Sequence, residues 1–280
     1  MGCGVDRWSG SQTLGSGSCE QPVKVWNVRT WNWVRTVEGH SRWVISVAWS
    51  GDSQTLASGS FDKTVKLWNV QTGDCVRTLE GHNIGVYSVA WSGDSLTLAS
   101  GSLDKTVKLW NVQTGDCVRT LEGHSNWVIS VAWSGDSQTL ASGSDDNTVK
   151  LWNVQSGECV RTLEGHSSSV ISVAWSGDSQ TLASGSDDNT VKLWNVQSGE
   201  CVRTLEGHNI GVYSVARSKD SHILASGSDD NTVKLWNVQS GECIATFDHR
   251  LYAGLKIKGV KGLSDAEILT LKALGAVEGD

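Results

Sequence analysis

The sequence predicts an all-β protein in which six four-stranded units are arranged as the blades of a propeller. A short alternating strand pattern ends in Trp-Asn at six positions that follow one another at a constant interval. These tryptophans are Trp26, Trp68, Trp110, Trp152, Trp194 and Trp236. A Gly-His pair recurs with the same step, first at His40 and last at His208. A fixed period of this length that holds four short strands is typical of a propeller blade.

Each regular period contains four strand patterns separated by turn residues. In one period we expect the inner strand over residues 127–134, where polar and apolar residues alternate, and further strands over 140–144, 148–152 and 159–163. Ser-Gly-Asp-Ser, Asp-Asp-Asn and Gln-Ser-Gly-Glu connect them, and such sequences favour tight turns. Repeating this assignment gives six blades, from about residue 5 to residue 247.

The two ends depart from the period. The first unit lacks the Gly-His pair and has Glu20 where the other units have aspartate. We therefore predict a propeller domain over residues 1–248 and a tail over 249–280, whose residues 249–262 could supply part of a seventh blade. Ser264-Asp-Ala-Glu267 forms a capping box that predicts a short helix over 265–274, ended by Gly275.

Composition and charge exclude several classes of partner. The 280 residues carry a formal net charge of −7 and no run of Lys or Arg, so we expect no nucleic-acid partner. No apolar run reaches the roughly 18 residues that a membrane span requires, and no signal peptide is present, so we expect a cytoplasmic protein without a membrane partner. Five cysteines recur once per period and predict small apolar residues in an outer strand. No pattern indicates a metal or a cofactor, and the oligomeric state stays open.

The Gly-His and Trp-Asn signatures resemble the WD-repeat family over roughly residues 5–248. The resemblance implies a structural tetrad in each regular blade, in which Asp and Ser bond to the imidazole and the imidazole bonds to the indole N–H. The predicted tetrads are His40, Ser58, Asp62 and Trp68; His82, Ser100, Asp104 and Trp110; His124, Ser142, Asp146 and Trp152; His166, Ser184, Asp188 and Trp194; and His208, Ser226, Asp230 and Trp236. A hydrolytic Ser-His-Asp triad is the alternative. Five copies argue for a structural role and against an enzyme.

Differences between the units indicate where a partner would bind. Residues 125–166 and 167–208 differ at only two positions, which lie two and three residues after Gly-His. A second variable position directly precedes the tetrad Asp. In WD-repeat proteins both positions open onto the top face, near the channel mouth. The candidate partner-binding residues are Trp43, Phe61, Leu103, Trp127, Asp145, Asp187 and Asp229.

This set predicts an apolar arc over the second to fourth blades and an acidic arc over the fourth to sixth blades. Such a face suits a protein or peptide with a hydrophobic residue and a Lys or Arg, which makes a non-enzymatic interaction scaffold our main hypothesis. Three alternatives stay open. Trp43 and Trp127 could stack on a carbohydrate, an aromatic could contribute to a methyl-lysine cage, or the residues could reflect incidental drift between repeats.

The tail suggests another alternative. Leu263-Ser-Asp-Ala-Glu267, together with Leu271-Lys-Ala-Leu-Gly-Ala-Val277, resembles the tails of repeat-bearing signalling NTPases of the heterokaryon-incompatibility class. The chain would then be the ligand-sensing propeller fragment of such a protein. No phosphate-binding loop of the Gly-x-x-x-x-Gly-Lys-Ser/Thr type is present in the sequence.

Overall fold

The computed structural model describes residues 5–6, 13–16, 23–27, 30 and 32–248, which form six four-stranded antiparallel sheets. Sheet one contains β1 (Val5–Asp6), β2 (Thr13–Ser16), β3 (Val23–Asn27) and β4 (Trp33–Val37); sheet two contains β5 (Val44–Trp49), β6 (Thr55–Ser60), β7 (Val65–Asn69) and β8 (Cys75–Leu79). Sheet three contains β9 (Val86–Trp91), β10 (Thr97–Ser102), β11 (Val107–Asn111) and β12 (Cys117–Leu121); sheet four contains β13 (Val128–Trp133), β14 (Thr139–Ser144), β15 (Val149–Asn153) and β16 (Cys159–Leu163). Sheet five contains β17 (Val170–Trp175), β18 (Thr181–Ser186), β19 (Val191–Asn195) and β20 (Cys201–Leu205); sheet six contains β21 (Val212–Arg217), β22 (Ile223–Ser228), β23 (Thr232–Asn237) and β24 (Cys243–Asp248).

Every sheet is a meander in which consecutive strands are neighbours. In sheet four, Leu140 lies opposite Trp133 on one side and opposite Trp152 on the other. The outermost strand occupies the residues predicted for it, and the other three begin or end within one residue of prediction. The first two strands of each sheet from two to six pair with a register shift, which bends the ladder where the inner strand begins.

Neighbouring sheets pack through small and branched side chains. Between sheets four and five, Ala141, Val149, Leu151 and Leu163 contact Val170, Val173, Leu182 and Trp194, and all are at most 7% exposed. Burying each large side chain contributes on the order of 2 kcal/mol, so these junctions hold most of the apolar core. Gly143 lies in the same junction, where a Cβ would stand 2.8 Å from Cγ1 of Val170. Only glycine lets the sheets approach this closely.

Polar bonds repeat at each junction with the same spacing. Arg161 in the outermost strand of sheet four donates to the carbonyl oxygens of Gln197 and Ser198 in sheet five, at 2.7 and 3.0 Å. Near the central axis, the backbone N–H of Val173 donates to Ser130 Oγ at 3.2 Å. Because the same pairs occur at several junctions, the geometry that places one sheet on the next is repeated along the chain.

The predicted all-β fold with six four-stranded propeller blades is confirmed. The tail over 249–280, the helix over 265–274 and the partial seventh blade lie outside the described residues. One expectation is wrong in part. Cys75, Cys117, Cys159, Cys201 and Cys243 do lie in outermost strands, but they are free and exposed rather than apolar plugs. The outer strand has solvent on its free edge, so a cysteine there is not enclosed.

Candidate functional site on the top face

A network of buried side chains supports the top face, which we define by the Gly-His segments and by the turns after β6, β10, β14, β18 and β22. In sheet five, His166 Nδ1 lies 2.7 Å from Asp188 Oδ2, and His166 Nε2 lies 2.7 Å from Ser184 Oγ. Trp194 Nε1 donates to the same Ser184 oxygen at 2.8 Å. The corresponding distances in sheets two, three, four and six lie between 2.7 and 2.8 Å. The structure thus brings together all five predicted sets.

The serine, rather than the imidazole, bonds to the indole, so the connectivity implied by the resemblance is wrong at this point. Ser184 Oγ accepts from the indole N–H and can donate its hydrogen to His166 Nε2. The histidine then donates from Nδ1 to the carboxylate. The indole and imidazole rings meet edge to face, with centroids 5.9 Å apart, and the hydroxyl lies between their nitrogens.

This chain of bonds satisfies each buried polar atom only when the imidazole is neutral. A protonated ring would donate from both nitrogens, and the Ser184 hydroxyl hydrogen would lose its acceptor. Burial lowers the pKa of His166, although the bond with Asp188 acts in the opposite direction. Burial would raise the pKa of Asp188, but hydrogen bonds from Thr190 and His166 outweigh it and lower this pKa. The pair is therefore an ionised carboxylate beside a neutral imidazole, and it joins the Gly-His segment to the turn after β18.

The first sheet retains part of this network. Trp26 Nε1 donates to Ser16 Oγ at 3.0 Å. Glu20, which takes the place of the aspartate, lies outside the described residues. The serine-tryptophan bond thus extends to all six sheets.

The two variable positions of each blade lie side by side on the top face. A backbone hydrogen bond joins them: Phe61 N donates to Trp43 O at 3.0 Å, and Asp145 N donates to Trp127 O at 2.9 Å. Leu103, Asp187 and Asp229 make the same bond to Gly85, Ser169 and Gly211. The structure therefore groups all seven predicted partner-binding residues on one face.

Aromatic side chains form a row across sheets two and three. The rings of Trp43 and Phe61 meet edge to face at 6.0 Å, and Phe61 meets Tyr87 at 6.1 Å. Gly85 leaves room for this row, because a Cβ there would collide with the Phe61 ring. Trp43 is 44% exposed, so the row ends in an indole that a ligand can reach. Trp127 in sheet four is similarly exposed, but no ring contact joins it to this row in the described part of the chain.

Asp145 and Asp229 lie close enough to Asp187 for their charges to act on its carboxylate. Partial burial raises the pKa of Asp187, and the negative charges of Asp145 and Asp229 raise it further. Asp145 is held in place by Asn126 Nδ2, at 2.6 Å, and by the hydroxyl of Ser169. These bonds fix its orientation without supplying a positive charge. The three carboxylates therefore lie on the same face as the exposed aromatic side chains.

Tyr87 and Tyr213 belong to this face and were not predicted. Partial burial raises the pKa of both phenols, and the charge of Asp187 raises both further. Tyr87 lies in sheet three and Asp187 in sheet five, so the charge of Asp187 acts on the Tyr87 phenol from across the channel mouth. The sequence did hold a signal, because the second residue of the inner strand changes between Ile and Tyr while its neighbours stay constant.

A cavity of about 490 Å³ opens at the end of the inner strands opposite the top face. Val47, Val89, Val131 and Val173 line it, together with residues around Trp49 and Trp91. None of these described side chains is titratable at neutral pH, so they offer no proton-transfer chemistry. Within the described ranges we also find no group of His, Cys, Asp or Glu that could hold a metal ion, and no helix that could span a membrane.

The fold and the repeated polar network define a class of protein built from propeller blades that each carry one Ser-His-Asp-Trp set. A family model described as WD domain, G-beta repeat matches residues 31–69, 73–111, 115–153, 157–195 and 199–237. The chain belongs to this family. Domains of this kind are typically non-enzymatic and generally serve as scaffolds that bind proteins or peptides. A comparison with curated proteins finds no match.

Proposed function

We propose that this protein is an interaction platform whose top face binds a protein or peptide partner through an apolar side chain and a neighbouring Lys or Arg. One observation carries the proposal: exposed indoles share the top face with three aspartates, and the charges of Asp145 and Asp229 contribute to the raised pKa of Asp187. A cation placed between the carboxylates would offset those charges. The apolar neighbour would bury the face of an indole.

The indoles and the carboxylates would affect different steps of binding. Burying one indole contributes on the order of 2 kcal/mol, which corresponds to roughly a tenfold or greater change in Kd. The carboxylates lie at an exposed rim, so they act mainly on the rate of association and on its dependence on salt. Replacing Trp127 and neutralising the aspartates should therefore weaken binding in kinetically distinct ways.

The test uses an array of short peptides that pair Trp, Leu or Ile with Arg, Lys or Gln. Peptides with a cation should bind, and Trp127→Ser should weaken them roughly tenfold or more. The chain offers a matched control for folding, because sheet five already has Ser169 at this position within an almost identical unit. Asp187→Asn with Asp229→Asn should slow association and flatten its salt dependence. Full affinity in the Trp127→Ser protein, or equal binding of the Gln peptides, would refute the proposed site.

We further propose that the protein works in the cytoplasm. Five free and exposed thiols on five separate sheets support this proposal, because exposed cysteines stay reduced in a reducing compartment. Localising a tagged full-length chain by microscopy, with a cytosolic marker beside it, would test it. Secretion of the tagged chain would refute it.

A further inference from the structure

The two residues that flank each tetrad aspartate on the top face change together from sheet to sheet. Residues 61–63 and 103–105, in sheets two and three, read Phe-Asp-Lys and Leu-Asp-Lys. The same turn reads Asp-Asp-Asn over residues 145–147, 187–189 and 229–231, in sheets four, five and six. The charges of one aspartate and one lysine cancel in the first group of turns, whereas each turn of the second group carries two aspartates and no lysine.

Lysine is an unfavourable residue at this place in the backbone. Lys63 and Lys105 have φ angles of 76° and 71°, in the left-handed region, and the backbone N–H of each donates to a serine carbonyl at 3.1 Å. Asn147, Asn189 and Asn231 adopt nearly the same conformation, with φ angles of 68°, 70° and 63°. Asparagine tolerates positive φ better than lysine does, because its short polar side chain can form local hydrogen bonds. The conformation of the turn therefore gives no reason for lysine in sheets two and three.

The two lysines form a cationic half of the top face together with Arg42. All three residues are exposed, and Arg42 is held beside the turn because its carbonyl accepts from Ser60 Oγ at 3.2 Å. Within the described ranges, no carboxylate forms an ion pair with any of the three. A glutamate precedes every Gly-His pair, so it adds the same charge to each of sheets two to six. The top face is thus divided into a cationic half over sheets two and three and an acidic half over sheets four to six.

The two halves are close enough for one short ligand to reach both. Burial raises the pKa of Tyr87 in sheet three, and the charge of Asp187 in sheet five raises it further. The Tyr87 ring meets Phe61, which lies two positions before Lys63. Because an extended peptide advances about 3.3 Å per residue, a segment of a few residues can extend from one half to the other.

We propose that the partner of the top face is a bipolar peptide segment, with a Glu or Asp that lies over Lys63 and Lys105 and a Lys or Arg that lies toward Asp187 and Asp229. The bipolar partner rests on the proposed function of this face, to which it adds a carboxylate and a fixed direction of the bound segment. A segment bound the other way round would bring like charges together in both halves. The two lysines therefore determine specificity, since they select the order of the charges as well as their presence.

The test uses short peptides that contain Trp and Arg, with Glu, Gln or Lys a few positions to either side of the Arg. Association rates are measured by surface plasmon resonance at low and high salt. On the wild-type protein, Glu peptides of one sequence order should associate roughly threefold or more faster than the matching Gln peptides, and the Lys peptides should associate more slowly. High salt should remove this preference, because the charges on both sides are exposed.

Two double variants and one control test the lysines themselves. Lys63→Asn with Lys105→Asn should abolish the preference for Glu over Gln, and it should fold with an unchanged or higher urea midpoint because three turns already carry asparagine in this conformation. Lys63→Glu with Lys105→Glu should reverse the preference, from Glu to Lys. Lys219→Asn removes an exposed charge at the opposite end of sheet six, so it should keep the preference for Glu.

The bipolar partner and the proposed function fail in different ways. Equal binding of Glu and Gln peptides, on a protein that still prefers Arg to Gln at the cationic position, would overturn the bipolar partner alone. Loss of the preference for Arg would refute the proposed function and the bipolar partner with it. Sedimentation velocity should show a monomer. A dimer that Lys63→Asn with Lys105→Asn dissociates would overturn the peptide partner, because the cationic half would then pair with the acidic half of a second copy.

Discussion

Replacing Asp188 by alanine removes the carboxylate that the buried histidine of sheet five requires. Asp188 accepts from His166 Nδ1 at 2.7 Å, from the N–H of Ser167 at 3.1 Å, and from the N–H and hydroxyl of Thr190 at 3.0 and 2.7 Å. The His166 side chain is 1% exposed, so its Nδ1–H cannot turn to water. An orphaned buried donor costs roughly 1–3 kcal/mol, and the weakened Thr190 bonds add about 0.5–1.5 kcal/mol. We therefore expect a loss of about 3 kcal/mol in the free energy of unfolding.

The adjacent aspartate provides the control. Asp187 is exposed, and its raised pKa shows that its charge is unfavourable in this place. Asp187→Ala should therefore change the free energy of unfolding by no more than about 0.5 kcal/mol. Urea denaturation monitored by circular dichroism measures both variants. Hydrogen exchange in β19 locates the loss, since repeat proteins can unfold in parts. Equal destabilisation by the two substitutions would refute the assignment of the buried and the exposed carboxylate.

Three other perturbations test the network, the junctions and the outer strands. Asp188 has a lowered pKa in the folded protein, so it contributes stability that is present above its ordinary pKa of 3.8 and is lost as pH falls through its pKa in the folded state. His166 also has a lowered pKa, so its contribution to stability is complete above its ordinary pKa of 6.5 and declines below that pH. Urea midpoints should therefore fall from about pH 6.5 downward and most steeply below about pH 4, and a midpoint that rises on acidification would contradict this. Arg161→Ala removes two hydrogen bonds to sheet five, so it should lower the free energy of unfolding in urea by about 1–2 kcal/mol. Arg42→Ala is the surface control. An unchanged free energy of unfolding in Arg161→Ala would mean that these bonds are not stabilising. Thiol titration of the native protein should label at least Cys159 and its four counterparts, and fewer than five reactive thiols would contradict their exposure.

The period predicted most of the fold because each strand and turn occurs several times. A single unit such as residues 125–166 leaves some ambiguity at strand ends, but its repetition fixes which residues start and end each pattern. The resemblance to WD repeats brought His166, Ser184, Asp188 and Trp194 into one set. Spacing alone does not show which atom of a set bonds to which, so the role of the Ser184 oxygen became visible only in three dimensions.

The features that the sequence did not predict depend on surroundings rather than on pattern. Tyr87 and Tyr213 look like ordinary members of an inner strand, and their place near Asp187 results from the arrangement of different sheets around the channel. Cys159 has the apolar character of a core residue, yet its strand lies at an edge with solvent beside it. The exposure of Val233 could not be predicted either, because its strand pattern matches that of Val191, which is buried in sheet five.

The junctions between sheets also carry a consequence for how the chain can change its length. Arg119 of sheet three bonds to the carbonyls of Gln155 and Ser156 in sheet four, and Gln197 and Ser198 offer the same groups in sheet five. Loss of residues 125–166 would therefore bring equivalent carbonyl groups to Arg119, whereas the bond between Ser169 and Asp145 would be lost. The contacts that attach one sheet to the next are local, because each described junction involves only two neighbouring sheets. A deletion of this repeat would thus alter the composition of the rim while keeping the partners of the arginine side chains that join one sheet to the next.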